Sequence, residues 1–109
     1  MKATIDVREN RGIFSTSWTV ECQFQFTEIE HAAIRQGKLA EKTVYSVGGG
    51  DYERDVTLGQ IMGGTKQTFT TLLAASEDRR FFEETVLPKI KSWLMTVENF
   101  GTGSKTIEL

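Results

Sequence analysis

The chain is poor in the residues that most often carry chemistry or covalent constraint: it has one cysteine, one histidine and one proline in 109 residues. A single cysteine excludes an intrachain disulfide, and domains of oxidising compartments more often carry one. One histidine with one cysteine excludes the common zinc sites within a single chain. Long apolar runs are missing too. The longest, Leu72-Leu73-Ala74-Ala75, falls far short of the roughly 20 residues a membrane-spanning helix needs. The opening Met1-Lys2-Ala3-Thr4-Ile5-Asp6-Val7 alternates and lacks the apolar block of a signal peptide. Neither sign of charge dominates, since 13 Lys and Arg face 15 Asp and Glu for a net charge of −2. No charge excess therefore draws a polyanion or a membrane. These absences lead us to expect a cytoplasmic protein.

What remains is ordinary globular composition, with 39% hydrophobic and 26% charged residues, long enough for one domain. We expect a single α+β domain over residues 1–100 and a tail over 101–109 that is loose or docks on a sheet edge. Ala3, Ile5 and Val7 alternate with polar neighbours as in a half-buried strand, and Glu9-Asn10-Arg11-Gly12 supplies a turn. The strongest local signal follows. Phe14, Trp18, Val20, Cys22, Phe24 and Phe26 occupy even positions, with Ser, Thr, Glu and Gln between them. That pattern predicts a long strand, one face buried and one wet, paired with the first as a hairpin.

Thr27-Glu28-Ile29-Glu30 reads as a capping box opening a helix over 28–36, which Gly37 would end. On a helical wheel Ile29, Ala32 and Ala33 share the expected inner face, leaving His31 and Ile34 outside. Thr43 to Val47 is a strand by composition, broken by Gly48-Gly49-Gly50. Residues 56–62 fit a strand or a helical turn capped by Thr57 equally well. Lys66 to Thr71 is β-like. The last element is a helix over 77–99 with Ser76 as N-cap. Its stripe is Phe82, Val86, Leu87, Ile90, Trp93, Leu94 and Val97, with Pro88 in the middle. The stripe keeps its phase across Pro88, which favours one kinked helix over two. The order β-β-α-β-(β)-β-α predicts a mainly antiparallel sheet of four to five strands with two helices packed on one face.

Motifs for chemistry fail on counting. Gly59 to Gly64 has the glycine spacing of a phosphate loop, but Thr65 precedes Lys66 where the order must be reversed. Asp51, Glu53 and Asp55 alternate like a calcium loop, yet Val56 and Met62 stand where glycine and glutamate are required. Cys22, on the apolar face of a strand, has no neighbouring cation to lower its pKa. His31 falls on a wet helix face. Arg79-Arg80, expected in the first turn of the last helix, opposes the helix dipole, with Asp78, Glu83 and Glu84 near enough to balance it. No catalytic residue, metal ligand or cofactor is implied.

Three functions remain. The leading one is a non-enzymatic interaction module binding a protein partner or a second copy, with the off-stripe apolar residues Ile34, Phe81 and Met95 as contacts. The second is a small-ligand or weakly catalytic domain with a pocket lined by Trp18, Tyr45, Tyr52 and Trp93. The third is nucleic-acid binding through Arg79, Arg80, Lys89, Lys91 and Lys105, which the polar, aromatic-free open face of the long strand disfavours.

Overall fold

The computed structural model describes residues 1–101; the tail expected over 101–109 lies, from residue 102 on, outside the described residues. β1 (Lys2–Arg11) and β2 (Thr16–Gln25) form an antiparallel hairpin. Its inner positions are those the alternation marks: Val20 and Cys22 are buried, and Trp18, Phe24 and Phe26 half-buried. Phe14 departs from that expectation. It lies in the hairpin loop, 98% exposed, beside Ile13 at 93%. The reason is reach. β5 (Thr65–Phe69) pairs with β2 only from Cys22 to Trp18, so among the described residues the hairpin end beyond Trp18 has no third strand beside it.

α1 (Glu28–Gln36) starts and stops where its caps dictate. The Thr27 hydroxyl accepts from the Glu30 amide at 3.1 Å, and the Glu30 carboxylate accepts from the Thr27 amide at 2.9 Å. Its buried face is not the expected one. Glu30, Ala33 and Ile34 are buried, whereas Ile29 is 57% exposed. Glu30, Ala33, Ile34 and Gly37 form an i, i+3, i+4, i+7 row turned toward the C-terminal helix. A β-carbon on Gly37 would meet Val97 at 2.8 Å, so the bare glycine permits the approach. Glu30 also binds the Met1 ammonium at 2.6 Å. Ile34, 4% exposed, therefore has a core role in place of the surface position expected for it.

β3 (Thr43–Val47) and β4 (Arg54–Thr57) pair antiparallel as a separate two-stranded sheet. The expected single sheet of four to five strands is thus two sheets, three-stranded β1-β2-β5 and two-stranded β3-β4. Both readings of 56–62 hold in succession. β4 ends at Thr57, which with Gln60 forms a capping box opening α2 (Leu58–Ile61). Gly64, at φ +105°, then turns the chain into β5. A side chain there would be strained by the backbone angle and would also meet the Cys22 carbonyl at 3.1 Å.

The C-terminal helix begins earlier than expected. α3 runs Leu72–Phe81 with Thr71, not Ser76, as N-cap, its hydroxyl accepting from the Ala74 amide. Arg79 and Arg80 consequently sit well inside the helical run, away from its N-terminus, and bind Glu83 and Glu84 one turn on. Pro88 does not break the helical run; it is the second residue of an α-helical segment that follows a π turn. A π turn (Phe82–Val86) precedes α4 (Leu87–Gly101), with the Leu87 amide donating to the Phe82 carbonyl five residues back. The wider turn changes register just ahead of the residue that has no N–H to give.

The stripe holds across that turn. Phe82, Val86, Ile90 and Leu94 are buried in one cluster with Cys22, Ile34, Leu39, Val44, Val56, Leu58 and Ile61. Elements from both sheets, α1, α2, the π turn and α4 meet there. α3 also crosses the three-stranded sheet, and Ala75 and Val20 are buried. Among the described residues no helix is long and apolar enough to cross a membrane.

Candidate functional site

The gap between the two sheets is the candidate site. β5 pairs with β2 on one edge, and its other edge has no strand partner among the described residues. Residues Thr65 to Gln67 of that strand, with Ser46, Val47 and Arg54 of the small sheet, border a cleft of about 580 Å³, within the usual size of ligand sites. Tyr45, Phe81 and Phe82 supply its aromatic surface. Their rings meet edge to face at 5.5 Å (Tyr45–Phe81), 5.9 Å (Tyr45–Phe82) and 6.0 Å (Phe81–Phe82). Phe82 belongs to the core at 5% exposure, whereas Phe81 is 36% exposed. The π turn begins between these two rings, a feature frequent at functional sites.

The polar groups divide the cleft. Arg54 has no ion-pair partner among the described residues, unlike Arg8, Arg11, Arg79 and Arg80, each of which holds a glutamate. Lys66 stands opposite Glu21 in the β2–β5 register; that glutamate already binds Arg8 and Gln23. Asp78, half-buried on α3, is raised above the ordinary aspartate range by loss of water. The Tyr45 hydroxyl is raised by burial and then by the nearby Asp78 charge, against a smaller opposing effect of Arg54. It therefore stays a neutral hydrogen-bond donor at physiological pH. Cys22, behind the sheet surface, is pushed up to about 11 by burial and then by Asp78, so its sulfur remains an unreactive thiol. Among the described residues no three His, Cys, Asp or Glu side chains converge as metal ligands.

The four residues expected to line one pocket are not brought together. Tyr45 lines the cleft. Tyr52 is 89% exposed on the turn between β3 and β4. Trp18 lies across from Phe69 at the end of the β2–β5 pairing. Trp93 lies under two lysines, Lys42 at 5.1 Å and Lys89 at 5.7 Å. Lys89 also donates to the Val44 carbonyl at 3.0 Å, tying α4 to β3.

The expected partner contacts also separate. Phe81 lines the cleft, Ile34 is buried, and Met95, 51% exposed, borders a different hollow with Lys91 and Leu94. Phe81 and Met95 are fourteen residues apart, roughly 20 Å along the axis, and the extra residue of the π turn shifts their relative phase by about 100°. Of the cations expected for nucleic acid, Arg79 and Arg80 are paired within their helix, Lys89 is engaged as above, and Lys105 lies outside the described residues. His31 packs edge-on against Phe26 at 5.7 Å, beside a larger, shallower hollow near Met1 and Phe24.

Arg54, Gln67 and Asp78 had no distinguishing signal in the sequence. Only the meeting of two sheets that do not join puts them on one cleft. No protein-family model matches this chain, and no curated protein or solved structure compared with it matches either.

Proposed function

We propose that this chain is a small binding module that takes a protein partner in the cleft between its two sheets. One observation carries the reading. The half-exposed Phe81, held in place by Tyr45 and Phe82, lies beside a sheet edge with no partner strand among the described residues. Aromatic anchors held rigid in a concave site are the usual energetic centres of protein interfaces. The remaining cleft groups favour recognition over turnover, because Tyr45 and Asp78 offer hydrogen bonds without an adjacent nucleophile. The test is capture of partners from the cells the protein comes from, using wild type, Phe81→Glu and Met95→Glu. The reading expects one partner retained by wild type and Met95→Glu and lost with Phe81→Glu. Equal retention by all three would remove the cleft from the account.

A second copy as the partner has its own observation in favour. Ile13 and Phe14 at the hairpin loop and Leu72 and Leu73 at the start of α3 are exposed, at 93%, 98%, 52% and 70%. The Trp18↔Phe69 register brings these two segments to the same end of the sheet. Phe14→Glu is a clean probe of it, because a side chain this exposed contributes little to folding. Its effect on unfolding free energy should stay within about 0.5 kcal/mol, measured by urea titration. If sedimentation finds a wild-type dimer and a Phe14→Glu monomer, self-association through this end is the function. A wild-type monomer at all concentrations removes it.

A further inference from the structure

Resting on the cleft as a partner site, we propose that the partner enters as an extended segment that adds a strand to β5 and places an acidic side chain against Arg54. The open edges of the fold are not equivalent. β1 carries Lys2, Asp6, Arg8, Glu9 and Arg11 along its ten residues, the charge pattern that protects an edge from pairing. β5 reads Thr-Lys-Gln-Thr-Phe with one charge, and its five residues offer about 17 Å of edge. Thr65, Lys66 and Gln67 of this strand border the cleft containing the aromatic cluster, and no residue of β1 does. Backbone bonds along an edge give affinity with little sequence preference, and alternate side chains of an added strand then read the pockets beside it. Here those pockets are unlike in character. Gln67 and Phe69 share the face of β5 turned toward the helices, since they lie across from Val20 and Trp18 of the inner face of β2. The Phe81–Tyr45 corner takes an apolar or aromatic side chain, and Arg54 offers a planar cation with no carboxylate yet bound among the described residues. Asp78 repels a second acidic group near Phe81, which orients the segment.

The probe is a displayed library of random octapeptides, selected against the wild-type chain and against Arg54→Glu. Arg54 is exposed, so its replacement leaves the core untouched. Wild type is expected to enrich peptides with one acidic residue at a fixed even spacing from an apolar or aromatic one. Arg54→Glu is expected to bind the best synthetic peptide at least about tenfold more weakly, the loss of one charge-assisted bond, and to select basic residues at that position. Methylating alternate peptide nitrogens should abolish binding on one register and spare it on the other. Selection without acidic preference, or equal binding by the methylated registers, overturns strand addition even where Phe81-dependent partner capture persists. Failure of both experiments removes the cleft itself. Peptide binding that appears only when a dimer is diluted apart would identify a second copy as the occupant and overturn the acidic-peptide claim.

Discussion

Ile90→Ala is expected to lower the unfolding free energy by about 2–5 kcal/mol, the range for truncating a fully buried aliphatic residue. Ile90 has no exposed surface. It lies in the stripe that meets Cys22 of the three-stranded sheet and Val44 and Val56 of the small one. The cavity would open where both sheets and the C-terminal helix converge, so little rearrangement can fill it. A domain of this size typically has about 5–15 kcal/mol in total, making the loss a large fraction. Urea unfolding checks it. The midpoint should fall with the slope unchanged, and Met95→Ala, on the exposed side of the same helix, should shift it by less than about 0.5 kcal/mol. A loss under about 1 kcal/mol for Ile90→Ala would mean that the helix stripe is not the shared interior.

The second large effect belongs to Glu30. Its carboxylate and the Met1 ammonium meet at 2.6 Å with side-chain exposures of only 9% and 8%. The pair is only part-buried, so removing one member costs less than the ~3–5 kcal/mol of a fully buried pair. Glu30→Gln keeps an oxygen for the Thr27 amide, so the cap survives and the ion pair alone is lost. A chain terminus can swing back into water, which puts the expected cost at about 1.5–3 kcal/mol at neutral pH, the range for a hydrogen bond between charged groups.

The pH dependence has a definite sign. Burial would raise the Glu30 pKa, but the bonds from the Met1 ammonium and from Thr27, with the ammonium charge, outweigh it and hold it below the usual glutamate range. A depressed folded-state pKa gives stability that is complete above the unfolded value, about 4.3, and lost as pH falls through the folded value. Urea midpoints from pH 7 to pH 3 should drop more steeply for wild type than for Glu30→Gln. Parallel curves would show that the pair contributes nothing.

Much of the fold was legible because its local signals are backbone-chemical. The capping box at Thr27–Glu30, the five-residue strand from Thr43 to Val47 and the buried stripe from Phe82 to Leu94 each appear where pattern places them. The misreadings have one physical source: a neighbour the pattern cannot see. Ile29 looked like the inner residue of α1 because a wheel does not put glutamate inside. The Met1 ammonium, 29 residues away in sequence, together with the Thr27 amide, makes a buried Glu30 affordable, and Ile34 is buried on the same face. Phe14 continued the alternation of β2, but β5 is too short to cover it. Thr71 outcompeted Ser76 as a cap because the helix could begin as soon as β5 ended at Phe69. The cleft was illegible for the same reason. Strand propensity marks β3, β4 and β5 without saying which of them pair, and the site is the place where β5 and the small sheet do not.

Amide hydrogen exchange along Thr65–Phe69 tests that point most directly. In the isolated monomer, protection should alternate residue by residue, with amides bonded to β2 exchanging slowly and those turned to the cleft exchanging close to the rate of solvated backbone. Uniform slow exchange along all five positions would mean that another segment already covers the edge, leaving no vacant strand position for a partner.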